Sequence, residues 1–394
     1  MKTSFRDITF LILVITCFPV AGYMQQDSAV SVPHKFHVSG YVKDLQQTSF
    51  TKNTKDLITG NLLHNRINLR YDLNSHITAR LEMRNRLYYG ETVRSTPGFA
   101  AMLKNNSDLF DLSKTWVDEP ALVLNSTIDR ASVNFRYGKW DMTVGRQRIN
   151  WGINTIWTPN DIFNTFNYFD FDYEERPGSD AVRIHYLRSG FSSFEAAYRP
   201  GKNEHDQVGA LLYRFNKWNY DIQFFAGIYN DDVTAGTGWA GNIGNAGFKG
   251  EATYFHPRDN FADTSGVLNT SVTIDYAFRH GIYFCISALY NSGGKDHFPL
   301  LYNFSSATLS AKNLMPFRYT LFIQASKAFT PILAGTLACM YSPADNTVVA
   351  LPSLSYSISD NWELSLTAQS FFASQQNIYR GIYNSIFLRI KMAF

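Results

Sequence analysis

The sequence lacks the long hydrophobic runs of helical membrane proteins. After the N-terminus no apolar stretch approaches the ~20 residues that a membrane-spanning helix needs, which excludes a helical membrane bundle. Charged residues are also few, at 18% of 394 residues, so the chain cannot build the highly charged surface of a large soluble protein. The formal net charge is only +3, and no basic cluster indicates a nucleic-acid partner.

Cysteine is scarce as well, with three residues in the whole chain. Cys17 lies in the N-terminal apolar run, which leaves Cys285 and Cys339 in the mature protein. These two fall on separate predicted strands, where a disulfide is open to them, but we expect free thiols. No metal-ligand spacing is present, so the sequence predicts neither a metal nor another cofactor.

The N-terminus has the pattern of a secretory signal peptide, which we assign to residues 1–22. Lys2 and Arg6 precede an apolar run over residues 8–20, and small residues allow cleavage before Tyr23. The sequence therefore predicts export from the cytoplasm.

A lipoprotein that starts at Cys17 is the alternative, and it is weaker because Thr16 is not the usual small residue. Residues 23–33 form a short polar periplasmic lead, which is too short to fold into a globular plug. We assign residues 34–394 to one domain.

The chain is rich in one pattern, a strict alternation of apolar and polar side chains. It is clearest over residues 61–90, where two stretches meet at Asn74-Ser75. Because successive side chains of a strand point to opposite faces, each stretch predicts a strand with one apolar and one charged face. With 15% aromatic residues for interfacial girdles, the pattern favours a membrane barrel over a soluble sandwich. The girdle candidates are Tyr89, Trp140, Tyr198, Trp218, Tyr290, Trp362 and Phe394.

Strand counting indicates the size of the barrel. About seventeen stretches alternate clearly, but bacterial single-chain barrels have even strand numbers. A Gly-rich strand over residues 237–244, turning at Asn245 into Gly247, supplies the missing element. We therefore predict an all-β, antiparallel up-and-down transmembrane barrel of about 18 strands, with about 16 as the alternative.

Connections between the predicted strands alternate in length, which indicates short periplasmic turns, long extracellular loops and periplasmic termini. The sequence leaves open whether two of the long loops, 91–127 and 150–178, fold into the lumen. The long connections are 45–61, 91–127, 150–178, 291–316 and 372–384, and the short ones lie near residues 74, 138, 189, 216, 280, 329 and 360.

The chain ends on a strand with apolar residues at alternate positions, Ile390, Met392 and Phe394. A last strand that closes on phenylalanine resembles the signal read by the barrel assembly machinery of the outer membrane. We therefore expect that machinery, outer-membrane lipid and lipopolysaccharide as partners.

One block resembles a family of uncharacterised outer-membrane porin-like proteins, similar to the alginate-export and substrate-specific porins with 18-stranded barrels. Its residues are Gly145-Arg146-Gln147, Asn150-Trp151-Gly152 and the run 159–164. The resemblance implies a passive channel but no particular solute. At Gly145 we predict a bulge, which would turn Arg146 or Arg148 into the pore.

Basic side chains crowd the predicted lumen face of neighbouring strands, where guanidinium groups either select anions or pair with carboxylates as wall structure. Asp72 and Glu82 cannot neutralise the five arginines of the first hairpin, so we expect a positive lumen. The candidate lumen residues are Arg66, Arg70, Arg80, Glu82, Arg84, Arg86, Arg130, Arg136, Arg146 and Arg148.

These patterns predict a channel for small hydrophilic solutes, with anions as the candidate class. The alternative is a surface scaffold or adhesin with a closed lumen and the same barrel. An enzyme is not expected, because His64, His185 and His280 are scattered and no serine-centred motif accompanies them. The oligomeric state stays open.

Overall fold

The computed structural model describes residues 35–51, 56–103, 108–165, 175–176, 178–259, 261–296, 310–375 and 378–394. The predicted signal peptide (1–22), the lead (23–33) and the lipoprotein alternative lie outside these residues. Within them, no helix is long and apolar enough to cross a membrane.

Alternating residues form one antiparallel sheet of nineteen strands, which closes on itself where β1 pairs with β19. Eighteen strands make the barrel wall, and β4 is the extra one. The strands are β1 (Phe36–Phe50), β2 (Ile58–Asp72), β3 (Ile77–Gly90), β4 (Ser113–Glu119), β5 (Leu122–Tyr137), β6 (Trp140–Gln147), β7 (Ser179–Ser189), β8 (Ser192–Arg199), β9 (Val208–Lys217), β10 (Tyr220–Tyr229), β11 (Asp232–Ile243), β12 (Ala246–Pro257), β13 (Val267–Ala277), β14 (Ile282–Asn291), β15 (Tyr319–Thr330), β16 (Leu333–Ser342), β17 (Thr347–Ser359), β18 (Trp362–Gln375) and β19 (Ile378–Ala393).

The predicted barrel of 18 strands is confirmed, and the alternative of 16 is wrong. The Gly-rich element exists as β11, which turns at Gly244 into β12. Its alternation is weak because Gly236 and Gly238 take lumen positions where a Cβ would lie 2.9 Å from the side chain of Asn160.

Three predicted long loops are wrong in part. Most of loop 45–61 is strand, because β1 runs on to Phe50 and β2 begins at Ile58. Residues 372–384 belong almost entirely to β18 and β19, which run on to residues 375 and 378. The second half of loop 91–127 forms β4 and the start of β5, and its first half holds two helices of one turn, α1 (Glu91–Arg94) and α2 (Phe99–Met102). Loops 91–127 and 372–384 contain apolar residues that continue a strand face, but the polar residues between them obscure the alternation.

The wall has an apolar outer face, as predicted, and an inner face that mixes polar side chains with buried apolar ones such as Phe225, Phe322 and Met340. The outward aromatic residues near the short turns are exposed, including Trp140, Trp218 and Trp362. The outward Asn85 is an exception whose polar atoms are satisfied within that face, because it bonds Asn65 at 3.2 Å and Ser126 at 2.6 Å. A buried or lipid-facing polar group costs little once it is hydrogen-bonded.

The C-terminus closes the barrel. Phe394 exchanges two backbone hydrogen bonds with Gly40 of β1, at 2.9 and 3.0 Å. Ile390 and Met392 alternate outward with Phe394 and all three face away from the lumen. The residues predicted to signal assembly therefore also complete the last ladder.

A bulge occurs in this region, but on the neighbouring strand. Gly145 has a φ of 109°, yet the ladders of β6 with β5 and β7 run through it without a shift. The register shifts instead in β5, where Glu82 opposes Arg130 and Met83 opposes Ile128. Asp129 is the extra residue, so Asp129 and Arg130 both serve the lumen side.

The two cysteines of the described chain are free and face opposite sides of the wall. Cys285 is buried on β14, Cys339 lies on β16, and β15 separates them. With strands ~4.8 Å apart, their Cα atoms are ~10 Å apart, beyond the ~7 Å limit for a disulfide. We expect copper-phenanthroline oxidation of the purified barrel to leave two thiols that react with maleimide after denaturation. Loss of both thiols without dimer formation would contradict this placement.

Candidate functional site

The candidate site is the lumen, and its most distinctive part is a wall of cations on β19, β1, β2, β3 and β5. The register sets Lys391 opposite Lys43, Lys43 opposite His64, and His64 opposite Arg86. The next row sets Arg66 opposite Arg84. Like charges directly opposite each other destabilise a sheet unless anions intervene. We call Lys43, Arg66, Arg84, Arg86, Arg130 and Lys391 the basic wall.

Arg66 is the centre of the basic wall and is 1% exposed. Its Nη1 donates to Asp129 at 2.6 Å and its Nη2 to Glu82 at 2.6 Å. The Nη2 of Arg84 lies 3.1 Å from the other carboxylate oxygen of Asp129, Oδ1. Sequence reasoning missed Asp129, because strict alternation with Arg130 assigns it to the outer face. The bulge in β5 turns it inward, so this part of the wall is an ion-pair network.

Other predicted lumen arginines differ in environment. Arg70 pairs with Asp72 and Arg136 with Asp141, both close to the short turns. Arg80 is exposed and forms no ion pair within the described part of the chain.

Two further arginines of the basic wall have neutral groups among their partners. Arg86 donates to Asn125 at 3.4 Å and lies over the ring of Tyr88. Arg130 donates to the backbone oxygens of Asp129 and Arg176. Among the described residues, the cations of this wall outnumber the two carboxylates that contact it, Asp129 and Glu82.

Arg146 does not line an open passage, unlike its predicted placement. It is buried and binds both oxygens of Asp180 at 2.8 Å, and its Nη2 also donates to the backbone oxygen of Phe110 at 2.6 Å. Asp108 lies 3.4 Å from the same guanidinium, and burial raises the pKa of that carboxyl to about 6. Arg146 therefore fastens the segment before β4 to the wall, whereas Arg148 is exposed.

Residues 148–165, which we call the lumen segment, run across the interior of the barrel. Trp151 is fully buried, donates its indole N–H to Glu195 at 2.6 Å, and accepts from Gln223 at its backbone oxygen. The side chains of Asn154 and Ser271 bond at 2.7 Å. The first half of the predicted loop 150–178 therefore lies inside, while residues 166–174 and 177 fall outside the described residues.

Glu251 of β12 holds the middle of the lumen segment. This carboxylate is 0% exposed and accepts the backbone N–H groups of Ile153, Asn154 and Asn160, the last two at 2.6 and 2.9 Å. Asn160 also accepts from Thr253 at 2.7 Å. Hydrogen bonds to a charged acceptor are the strong ones, so Glu251 is the main anchor of the segment.

Apolar contacts complete the attachment. Ile156 and Trp157 pack with Phe322 and Met340 on the far wall, and Phe317 joins them from a second inward stretch, residues 310–318. The lumen is thus filled on the β7–β18 side, and the basic wall faces it from the opposite side.

Asp161 forms an ion pair with Arg176 at the end of the lumen segment. Burial raises the pKa of Asp161 to about 7, while the charges of Arg176 and Arg148 oppose that rise. The block that resembles porin-like proteins therefore supplies side chains that seat this segment.

A cavity of about 310 Å³ adjoins the basic wall on the long-loop side. Leu45, Leu62 and Phe387 form an apolar cluster on its wall, and Tyr88 contacts the ring of Phe99 edge-on at 5.0 Å. Polar groups from Gln47, Gln369 and Ser385 lie among them. The space can hold a small solute with polar and apolar parts.

No protein-family model and no curated protein matches the sequence. Solved structures do resemble the fold. The outer membrane protein OpdK from Pseudomonas aeruginosa has a TM-score of 0.58 at 8% identity, over 91% of this chain and 98% of that one. OpdK with vanillate gives 0.58 at 9% identity, over the same 91% and 98%. OccAB1 from Acinetobacter baumannii gives 0.56 at 12% identity, over 94% and 99%.

Identities this low establish a shared architecture and no more. The matches cover nearly the whole of both chains, so the likeness extends to the complete barrel. The chain therefore shares the fold of OpdK and OccAB1, which here is a closed barrel of 18 wall strands.

Proposed function

We propose that this protein is a passive channel in the bacterial outer membrane for small hydrophilic solutes, with a preference for anions. The observation that supports this most is the basic wall, because cations set directly opposite each other on one side of the lumen create a positive potential there. A positive wall raises the local concentration of anions, and salt screens the effect over a Debye length of ~10 Å at 0.1 M.

A surface scaffold with a closed lumen is the second candidate. It is favoured by one observation, the dense packing of the lumen segment against the β7–β18 side. Conduction separates the two functions, because a scaffold passes no current whereas a channel passes it whatever its preferred solute.

Orientation and assembly follow from the same proposal. The short turns and both termini lie in the periplasm, and the longer connections face the outside, as in other outer-membrane barrels. The barrel assembly machinery would read the closing strand with Ile390, Met392 and Phe394. Lipid and lipopolysaccharide would surround the outer face.

The selectivity can be tested on two arginines. Arg80 is exposed, and removal of Arg84 leaves its partner Asp129 still bound to Arg66. The double variant Arg80→Gln/Arg84→Gln should therefore assemble and shift the reversal potential in a KCl gradient toward cations.

The matched control is Lys217→Gln/Lys327→Gln, which removes two exposed cations that lie outside the lumen, beside the short turns. It should leave the reversal potential unchanged. If the lumen variant assembles and keeps the wild-type ion preference, the anion proposal is wrong and a general porin remains.

A further inference from the structure

The short-turn rim of the barrel carries exposed cations at five of its hairpins. They are Lys139, Arg188, Lys217, Arg279 and Lys327. The hairpins involved join β5–β6, β7–β8, β9–β10, β13–β14 and β15–β16, so the cations are spread along most of the wall. We call these five residues the rim cations.

Two rim cations continue the outward-facing side of their strands, whereas a third, Arg188, is exposed at a register shift of β7 between Leu187 and Ser189. Lys327 follows Ile323 and Ala325 on β15 at period two. Lys217 likewise follows Tyr213 and Phe215 on β9, beyond the outward Leu211. Because side chains alternate along a strand, these cations lie at the end of the apolar stripe and on the outer surface.

The rim cations have no carboxylate partner within the described part of the chain. Lumen cations at the same rim differ, since Arg70 binds Asp72 and Arg136 binds Asp141. On the opposite rim, Arg258 and His205 both pair with Asp231. An exposed carboxylate does occur on the short-turn rim, Asp360 in the β17–β18 turn, but it belongs to a hairpin without a rim cation. The exposed rim cations therefore stand outside the ion pairs of the described residues, and so do Arg94, Lys114 and Lys202 on the opposite rim, which serve as controls below.

Exposed aromatic rings accompany the rim cations. The Nζ of Lys217 lies 4.3 Å from the ring centre of Trp218, which is 75% exposed. Phe329 stands two residues after Lys327, Phe278 directly before Arg279, and Trp140 directly after Lys139. Aromatic rings in this position lie at the headgroup level of a bilayer. A neighbouring long cation then reaches the phosphates while its stem stays against the apolar surface.

We propose that the rim cations bind the phosphodiester groups of anionic phospholipids in the leaflet next to the short turns. This rests on the proposed function for the orientation, which makes that leaflet the periplasmic one. Each cation beside an anionic leaflet adds roughly five-fold to the local affinity. The barrel should consequently be surrounded by anionic lipid at this rim, which fixes its depth in the membrane.

The test uses full-length protein in vesicles and compares spin-labelled phosphatidylglycerol with spin-labelled phosphatidylcholine at the protein surface. The wild type should prefer phosphatidylglycerol several-fold, and 1 M salt should weaken the preference as the Debye length falls to ~3 Å. The variant Arg188→Gln/Lys217→Gln/Lys327→Gln should associate with the two lipids about equally.

A matched control removes three exposed cations from the opposite rim, Arg94→Gln/Lys114→Gln/Lys202→Gln, and should keep the preference. The proposal is wrong if the short-turn variant keeps it, if the control loses it equally, or if the wild type has none. It is also wrong if the short-turn variant keeps its lipid preference and loses only its co-sedimentation with purified peptidoglycan. Both variants should conduct normally in phosphatidylcholine bilayers. If neither they nor the wild type conduct, the channel proposal fails and the lipid proposal is unaffected.

Discussion

Replacement of Glu251 by Gln is expected to release the lumen segment and raise the conductance of the channel. The Glu251 carboxylate is fully buried and accepts three backbone N–H groups, from Ile153, Asn154 and Asn160. Gln must turn its NH₂ group toward one of these donors, and each lost hydrogen bond to a charged acceptor costs about 1.5–3 kcal/mol. Single-channel recording should show larger and noisier currents than the wild type.

The control is Asp221→Asn on β10, which changes the same charge at an exposed lumen position. Asp221 bonds the side chain of Asn216 at 2.8 Å and has no bond to the lumen segment. Its conductance should stay near that of the wild type. A Glu251→Gln barrel with wild-type current would show that the segment is held by its other contacts, such as those of Trp151 and Trp157, without Glu251.

Replacement of Arg66 by Gln is expected to cause a large loss of stability. Arg66 is almost completely buried and neutralises both Asp129 and Glu82. Removing one partner of a buried ion pair typically costs about 3–5 kcal/mol, because it leaves uncompensated charge in the wall. The heat-modifiable band of the folded barrel should convert to the unfolded form at a clearly lower temperature.

Arg70→Gln is the matched control on the same strand and face. Its guanidinium is 52% exposed and pairs with Asp72 near the turn, and exposed pairs contribute only about 0–1 kcal/mol. The conversion temperature of this variant should be close to that of the wild type. Equal losses in the two variants would mean that the network around Asp129 does not support the wall.

The barrel itself was predictable from the sequence because alternation is a local property. Even the Gly-rich β11 could be found, since the alternating turn lengths required a strand there. Strand β4, within the predicted loop 91–127, could not be found from the sequence. It forms only by pairing with one end of β5 after the chain has turned back. Similarly, the ends of β18 and β19 depend on their mutual pairing across residues 376–377.

The site was predictable in part. Period two places Arg66 and Arg84 on the lumen face, and the structure sets them opposite each other. The period-two pattern placed Asp129 on the wrong face, because one extra residue in β5 reverses the facing of the residues before it. Lys43 and Lys391 were missed for another reason, since they meet only when the first and last strands close the barrel.

The role of the porin-like block also needed the fold. Its residue Asn160 binds side chains of β12 about ninety residues away. Sequence spacing indicates a loop there, but only the closed barrel shows that the loop is anchored inside.

The central claim is that the barrel conducts, and planar-bilayer recording of the purified full-length protein tests it most directly. We expect stepwise insertion of ohmic channels whose reversal potential in a KCl gradient indicates anion preference, with the preference weakened at high salt. Folded, heat-modifiable protein that inserts without any current would contradict the channel and establish the closed scaffold.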